Sequence, residues 1–455
     1  MGSLFSSIWC YVGWVACPDL HHARGFHPPN GSDPFTTSLV QGADGNFYGT
    51  TTQDGFMFYG AIFRVTREGS LTTLGLRKSH STPYAGLVLA SDGNFYGTTS
   101  QGGDWKMGTV YRVTSTGRVT TLHSFGGGSD GVNPYSALIQ AADGNLYGTT
   151  LSTVFRITLD GSLTTLFTFC SGNCNDGFAP VGGLVQGTDG NFYGTTSYAG
   201  DLNCDGIHGS GCGTVFKITR GGRLTTLHVF ELSDGDSPDG TLIQASDGTF
   251  YGTTYRGGPL GCGTVFQLTS EGVFKTVHSF NSADGQGPVA GLIQGTDGNF
   301  YGTTNEGGDF FRGTVFKISP DGQLTLLYSL CSQTNCIDGS NTWTGLLQAT
   351  NGTFYGMTVV GGTSGNGTVF SLDMGLGPFV AFVRNSGRVG QATGILGEGF
   401  TGTTDVSLNG TPATFTVVSD TLIRATIPAG ATSGYVTVAT PGGTLTSNKP
   451  FIVLP

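Results

Sequence analysis

The feature that most constrains this 455-residue chain is a motif that keeps returning. Tyr-Gly, preceded by Phe or Leu and followed by Thr or Met, occurs at Tyr48, Tyr96, Tyr147, Tyr193, Tyr251, Tyr301 and Tyr355, about 51 residues apart on average. Each copy belongs to a unit with four strand-like segments, clearest at residues 183–186, 191–196, 213–219 and 224–230. Their β-branched and aromatic content suits a pleated, packed surface. Asp189-Gly190 separates the first two segments and Gly221-Gly222 the last two, and such pairs supply the positive φ that tight hairpins need. No stretch shows the 3.6-residue apolar period of an amphipathic helix. Seven antiparallel four-stranded units at this spacing predict an all-β chain, a seven-bladed β-propeller.

Composition bears on whether the units close into a ring. Only 11% of residues are charged, against about a quarter in an average domain. The third segment places Val215, Phe216 and Ile218 on both faces of its sheet, so an open stack would leave two apolar faces wet. The seventh unit has a third segment, ending at Leu372, but no fourth. Residues 19–26 precede Asn30-Gly31-Ser32-Asp33, which is similar to the inter-unit linker Gly127-Gly128-Ser129-Asp130, and are expected to supply that missing outer strand. The propeller is thus assigned to residues 19–376. The repeat stops after Gly375, and residues 377–455 read as seven short strands, a small immunoglobulin-like β-sandwich without cysteine.

The motifs Gly-Leu-Val/Ile-Gln, Asp-Gly-Asn-Phe-Tyr-Gly-Thr-Thr and Gly-Thr-Val-Phe-Lys-Ile resemble the GloVer tandem-repeat family over roughly residues 38–374. The tail, through Gly397-Glu398-Gly399-Phe400, Asn409-Gly410-Thr411-Pro412-Ala413 and Thr440-Pro441-Gly442-Gly443, resembles an IPT/TIG domain. These resemblances imply a bacterial exported or surface-associated protein and favour binding or structure over catalysis.

The net charge of −10 and the absence of a Lys/Arg cluster argue against a nucleic-acid partner on electrostatic grounds. No apolar run after residue 17 approaches the roughly 20 residues of a transmembrane span. Residues 1–18 read as an export signal or N-terminal extension, although no Lys or Arg occurs before Arg24. Three cysteine pairs lie within single loops, Cys170/Cys174, Cys204/Cys212 and Cys331/Cys336, and local disulfides in a secreted or cell-surface protein are the simplest reading. Cys212 and Cys262 share one slot in adjacent units, too far apart to bridge when packed sheets lie about 10 Å apart. Cys262 is therefore expected to be unpaired.

Propeller topology puts the two hairpin turns of each unit on one face, and the variable loops and linkers on the other. Recognition usually resides on variable loops, so Phe58, Trp105, Tyr198, Tyr255, Phe311 and Trp343 are the candidate ligand-binding residues, able to stack on a glycan or grip a protein. They would equally serve to cover blade edges. Asp201, Asn203 and Asp205 follow the start of a calcium loop, but Cys212 stands where the bidentate Glu should be, so a turn braced by Cys204 and Cys212 accounts for them as well. No cofactor is otherwise indicated. His123, His228 and His278 share their slot with Phe167 and Tyr328 and read as packing positions. The expected function is non-enzymatic recognition of an extracellular glycan or protein. The alternative is a propeller lyase or glycosidase using loop acids such as Asp104, Glu306 and Asp309.

Overall fold

The computed structural model describes residues 20–26, 31–35, 38–53, 60–75, 82–172, 174–204 and 211–454, with the side chains of 20–24 excepted. The readings placed on residues 1–18, on Phe58 and on Asp205 lie outside the described residues, as do Cys10 and Cys17. Among the described residues the chain is all-β apart from a 3-10 turn at Thr334–Cys336.

Residues 20–372 build seven four-stranded antiparallel sheets of a β-propeller. The fourth sheet is representative, with Val185–Gln186 innermost, then Phe192–Thr196, Thr214–Ile218 and Leu224–Val229. Its second strand is buried throughout, whereas its outer strand is partly wet. Inner strands are shorter than expected, two residues each, because the chain must leave the ladder quickly where neighbouring sheets converge. The seventh sheet is completed from the other end of the chain: Leu20–Gly25 pairs antiparallel with Thr368–Leu372. Phe26 follows it, fully buried and edge-on to Phe63 of the first sheet at 5.1 Å. Phe125/Phe155, Phe169/Phe216, Phe230/Phe266 and Phe280/Phe316 repeat that contact at 5.1–5.4 Å elsewhere, so the N-terminal segment makes the joint that other sheets make with their own outer strand.

The repeated motif explains the joints. The motif tyrosine of one sheet lies against the motif phenylalanine of the next in Tyr48/Phe95, Tyr147/Phe192, Tyr193/Phe250, Tyr251/Phe300 and Tyr301/Phe354, and Tyr355/Phe47 closes the circle, all at 4.0–4.2 Å. Leu146 replaces the phenylalanine at the remaining joint, where it shares a core cluster with Tyr96. Each ring pair contributes about 0.5–1.5 kcal/mol beyond its buried area. The tyrosine is held by its own turn: the Tyr193 hydroxyl donates to Asp189 Oδ2 at 2.8 Å, while Asn191 donates to both oxygens of the same carboxylate. The glycine after the tyrosine leaves room for the next strand's aromatic ring, since a Cβ on Gly194 would lie 2.7 Å from Phe216 Cζ.

Inner-strand glutamines add a polar lacing. Gln244 accepts from Thr188 N of the preceding sheet and donates to the Gly248 carbonyl of its own turn, and Gln186, Gln294 and Gln348 repeat the pattern. Gln41 joins the first sheet to Thr350 of the seventh, across 309 residues of sequence. In the second sheet the slot holds Leu89, which instead shares an apolar cluster with Leu396 and Leu422 of the C-terminal domain.

That domain is a sandwich of two four-stranded sheets, with strand orders Ala381–Phe382, Ala392–Leu396, Leu422–Thr426, Phe415–Ser419 and Thr411–Pro412, Asp405–Leu408, Val436–Thr440, Gly443–Thr446. Ser386–Arg388 also pairs parallel with Ile452–Leu454. Its core gathers Val380, Ile395, Phe400, Ile423, Val438 and Phe451. It docks on the hairpin-turn face of the propeller: Arg67 pairs with Glu398, Thr350 Oγ1 donates to the same carboxylate at 3.1 Å, and Thr421 Oγ1 donates to the Ala43 carbonyl at 2.7 Å.

Candidate functional site

On the opposite face, the linkers into successive inner strands end alike. A side chain follows a buried proline in Pro34-Phe35, Pro83-Tyr84, Pro134-Tyr135, Pro180-Val181, Pro238-Asp239 and Pro288-Val289; in the seventh linker Trp343 follows Thr342. Small residues come next, and Ser38, Gly86, Ala137, Gly183, Thr241, Gly291 and Gly345 directly precede the leucine that leads into each inner strand. They are small because the linkers crowd together there: a Cβ on Gly86 would lie 2.9 Å from the Ser38 carbonyl oxygen. The residue after each proline therefore sits at the mouth of the ring's axis.

Four of these residues are aromatic and come from consecutive linkers. Trp343 stacks on Phe35 at 4.5 Å, Phe35 meets Tyr84 edge-on at 5.8 Å, and Tyr84 meets Tyr135 at 5.2 Å. Tyr255, which follows the second strand of the fifth sheet, extends the row past Trp343 at 6.0 Å and covers Gly287. Arg256 lies over Tyr255, 5.3 Å from the ring centroid. All five rings are partly exposed, as a surface for stacking must be.

In a ring of seven linkers, the fifth stands opposite the first and second. It carries Asp239, flanked by the linkers of Val181 and Val289. Asp239 keeps some accessible surface, yet protein packs closely around its carboxyl and that desolvation raises its pKa to about 6. Ser197 Oγ donates to it at 2.5 Å, which favours the charged form, and the nearby Asp236 disfavours it. Tyr198 adjoins this pair; burial raises its pKa first, and the two carboxylates add to the effect.

Of the expected residues, Tyr255 and Trp343 belong to the aromatic row, and Tyr198 follows Ser197, the partner of Asp239. Trp105 and Phe311 stand on outer loop tips, 66% and 69% exposed, and neither makes a ring contact with the aromatic row among the described residues. Asp201 is used within its turn, where its Oδ1 accepts from Asn203 N and Nδ2 at 2.9 Å. Among the described residues no group of three or more His, Cys, Asp or Glu side chains is arranged to hold a metal ion. Asp104, Glu306 and Asp309 are exposed on separate loop positions. Cys170–Cys174, Cys204–Cys212 and Cys331–Cys336 are disulfides, and Cys262 is a buried free thiol. His123, His228 and His278 each lie 3.1–3.2 Å from a linker carboxylate, Asp130, Asp234 or Asp284, and tie the outer strand to the linker after it.

Sequence reasoning missed Phe35, Tyr84, Tyr135 and Asp239. The signal was available as one aligned column, the residue after the linker proline, which is bulky or acidic in a segment otherwise made of small residues.

Fold neighbours among solved structures agree with this architecture. A streptogramin B lyase is 13% identical with a TM-score of 0.53, covering 78% of this chain and 97% of its own. A catalytically inactive variant of the virginiamycin B lyase of Staphylococcus aureus, solved with quinupristin, is 12% identical with a TM-score of 0.54, over 78% of this chain and 99% of its own. A structure described as the extracellular domain of a hybrid two component system of B. thetaiotaomicron is 10% identical with a TM-score of 0.50, and this chain spans 96% of itself but 58% of that one. At such identities the likeness is one of fold. No curated protein matches the chain by sequence. An IPT/TIG domain matches residues 379–453. The Gloeobacter/Verrucomicrobia repeat matches residues 33–209 and 204–411, and with the repeat's tyrosines, glycines and turn aspartates forming the joints of the ring, the chain belongs to that repeat family.

Proposed function

We propose that this is an exported or cell-surface binding protein that recognises a glycan at the axial mouth of its propeller. The observation that carries the reading is the row Tyr255, Trp343, Phe35, Tyr84 and Tyr135, five partly exposed rings drawn together from separate elements on the face opposite the docked C-terminal domain. Aromatic faces pack on the C–H faces of pyranoses, and rigid rings give up little conformational entropy on binding. Three disulfides support an oxidising compartment. Among the described residues no helix is long and apolar enough to cross a membrane. A glycan array probed with the full chain tests the reading: binding to one class of glycan, lost in Tyr84→Ala and Tyr135→Ala, is the expected result, and binding untouched by both substitutions overturns it.

One observation favours a second reading. Asp239 is a desolvated carboxyl with a pKa of about 6 at the same mouth, a value suited to acid–base chemistry near neutral pH. Bond cleavage in a bound glycan, abolished by Asp239→Asn and unaffected by Glu306→Gln, would establish a propeller enzyme in place of a binding module.

A further inference from the structure

We propose that the mouth is built for an amine-bearing sugar, whose protonated amino group lies between the Asp239 carboxylate and the aromatic row. The inference rests on the glycan reading and names the chemical class of its ligand. Three independent features point to a cation. The first is the row itself: the faces of Trp, Tyr and Phe carry the negative lobe of the ring quadrupole and attract ammonium groups. The second is Asp239. Its slot is otherwise filled by aromatic or aliphatic side chains, and it places a desolvated carboxylate opposite Phe35 and Tyr84 and beside the Tyr255 end of the row, where Tyr255 N donates to the Ser237 carbonyl at 2.9 Å. Ser197 gives it one hydroxyl and Asp236 adds further negative field, while among the described residues no Lys, Arg or His side chain makes an ion pair with it. A carboxylate drawn out of water without a counter-charge is costly, and a ligand cation supplies that charge. The third is the chain's net charge of −10, which raises the local concentration of cations at any mouth lined by acid.

Arg256 lies over Tyr255, 5.3 Å from the ring centroid, and its backbone pairs with Asp236 on the Asp239 linker, but its side chain makes no ion pair with Asp239. Val181 and Val289, which flank Asp239 in the slot, are smaller than the rings that fill it elsewhere. The five rings curve around the mouth and together cover more than one lysine side chain would, so that more than one pyranose unit can meet them. These proportions favour an amino sugar over a basic peptide.

The test is calorimetric titration of the full chain at pH 6.5 with a glucosamine hexamer, with the N-acetylated hexamer of the same length, and with a tetralysine peptide. The expected result is binding of the amine form about tenfold tighter than the acetylated form, a difference of about 1.4 kcal/mol. Asp239→Asn removes the preference, and Tyr84→Ala weakens both hexamers alike. Equal affinity for the two hexamers, a preference that survives Asp239→Asn, or tetralysine binding as tight as the amine hexamer overturns the inference. Array binding to neutral glycans alone leaves the glycan reading standing without the amine, whereas the absence of any glycan ligand removes both.

Discussion

Gly252→Ala probes the packing rule on which the ring depends. A Cβ at this position would lie 2.5 Å from Phe266 Cζ, 2.9 Å from Phe266 Cε1 and 2.7 Å from Leu242 Cδ2. Neither neighbour can yield easily. Phe266 is fully buried and held by Phe230 at 5.2 Å and Phe274 at 5.5 Å, and Leu242 is 1% exposed. Overpacking a filled core by one methyl costs about 1–3 kcal/mol. Replacing glycine also restricts the unfolded chain, which returns about 0.4–1 kcal/mol. The net loss is then about 1–2 kcal/mol, read by urea unfolding of the full chain. Gly128→Ala is the control, because its new methyl meets only Asp130 Oδ1 at 4.0 Å, and it shifts stability by no more than about 0.5 kcal/mol. In the double variant Gly252→Ala/Phe266→Leu the smaller side chain relieves the clash, so the two losses add to less than their sum. Wild-type stability in Gly252→Ala, or strictly additive losses in the pair, would refute the claim that the motif glycine exists to admit the next strand's ring.

Two further outcomes follow from electrostatics and docking. Burial works against ionisation of Asp189, but Lys217 at 2.8 Å, Asn191 and Tyr193 outweigh it and hold its pKa at about 2. The folded-state value lies below the unfolded one, so this contribution is complete above about pH 4 and is lost as the pH falls towards 2; Asp189→Asn flattens acid unfolding across that window, by no more than about 1 kcal/mol for so solvated a pair. Glu398→Ala removes the partner of Arg67 and Thr350 together and loosens the docked C-terminal domain, seen as faster proteolysis between Leu372 and Ala381 at a cost of about 1 kcal/mol.

What could be read in the sequence was what the repeat enforces. A turn glycine, a motif tyrosine or an apolar pair on a buried strand serves the same purpose in every sheet, so seven copies reveal that purpose, and the interchange of His228 with Phe167 and Tyr328 marks the position as structural. The N-terminal strand was legible through a gap, because the seventh unit lacks a fourth segment and Leu20–Gly25 fills it. The binding mouth was harder to see for the opposite reason: function resides where copies differ. Phe35, Tyr84, Tyr135, Val181, Asp239, Val289 and Trp343 share one slot and little chemistry, and only the circular arrangement brings the four aromatic members into contact. Trp105 and Phe311 drew attention as large exposed-loop aromatics, whereas the rings that meet one another come mostly from the linkers. Domain docking was similarly hidden in one exception, Leu89 in a slot of glutamines, whose meaning depends on Leu396 and Leu422 some 300 residues later.

The most direct test of the central claim, that ligands are held at the axial mouth and not by the outer loops, compares the two tryptophans. Affinity for an array-identified glycan is measured for the wild type, Trp343→Ala and Trp105→Ala. Trp343→Ala is expected to lose about two- to tenfold in affinity, the share of one stacked aromatic, and Trp105→Ala to bind as the wild type does. Loss of binding in Trp105→Ala with Trp343→Ala unchanged would contradict the claim.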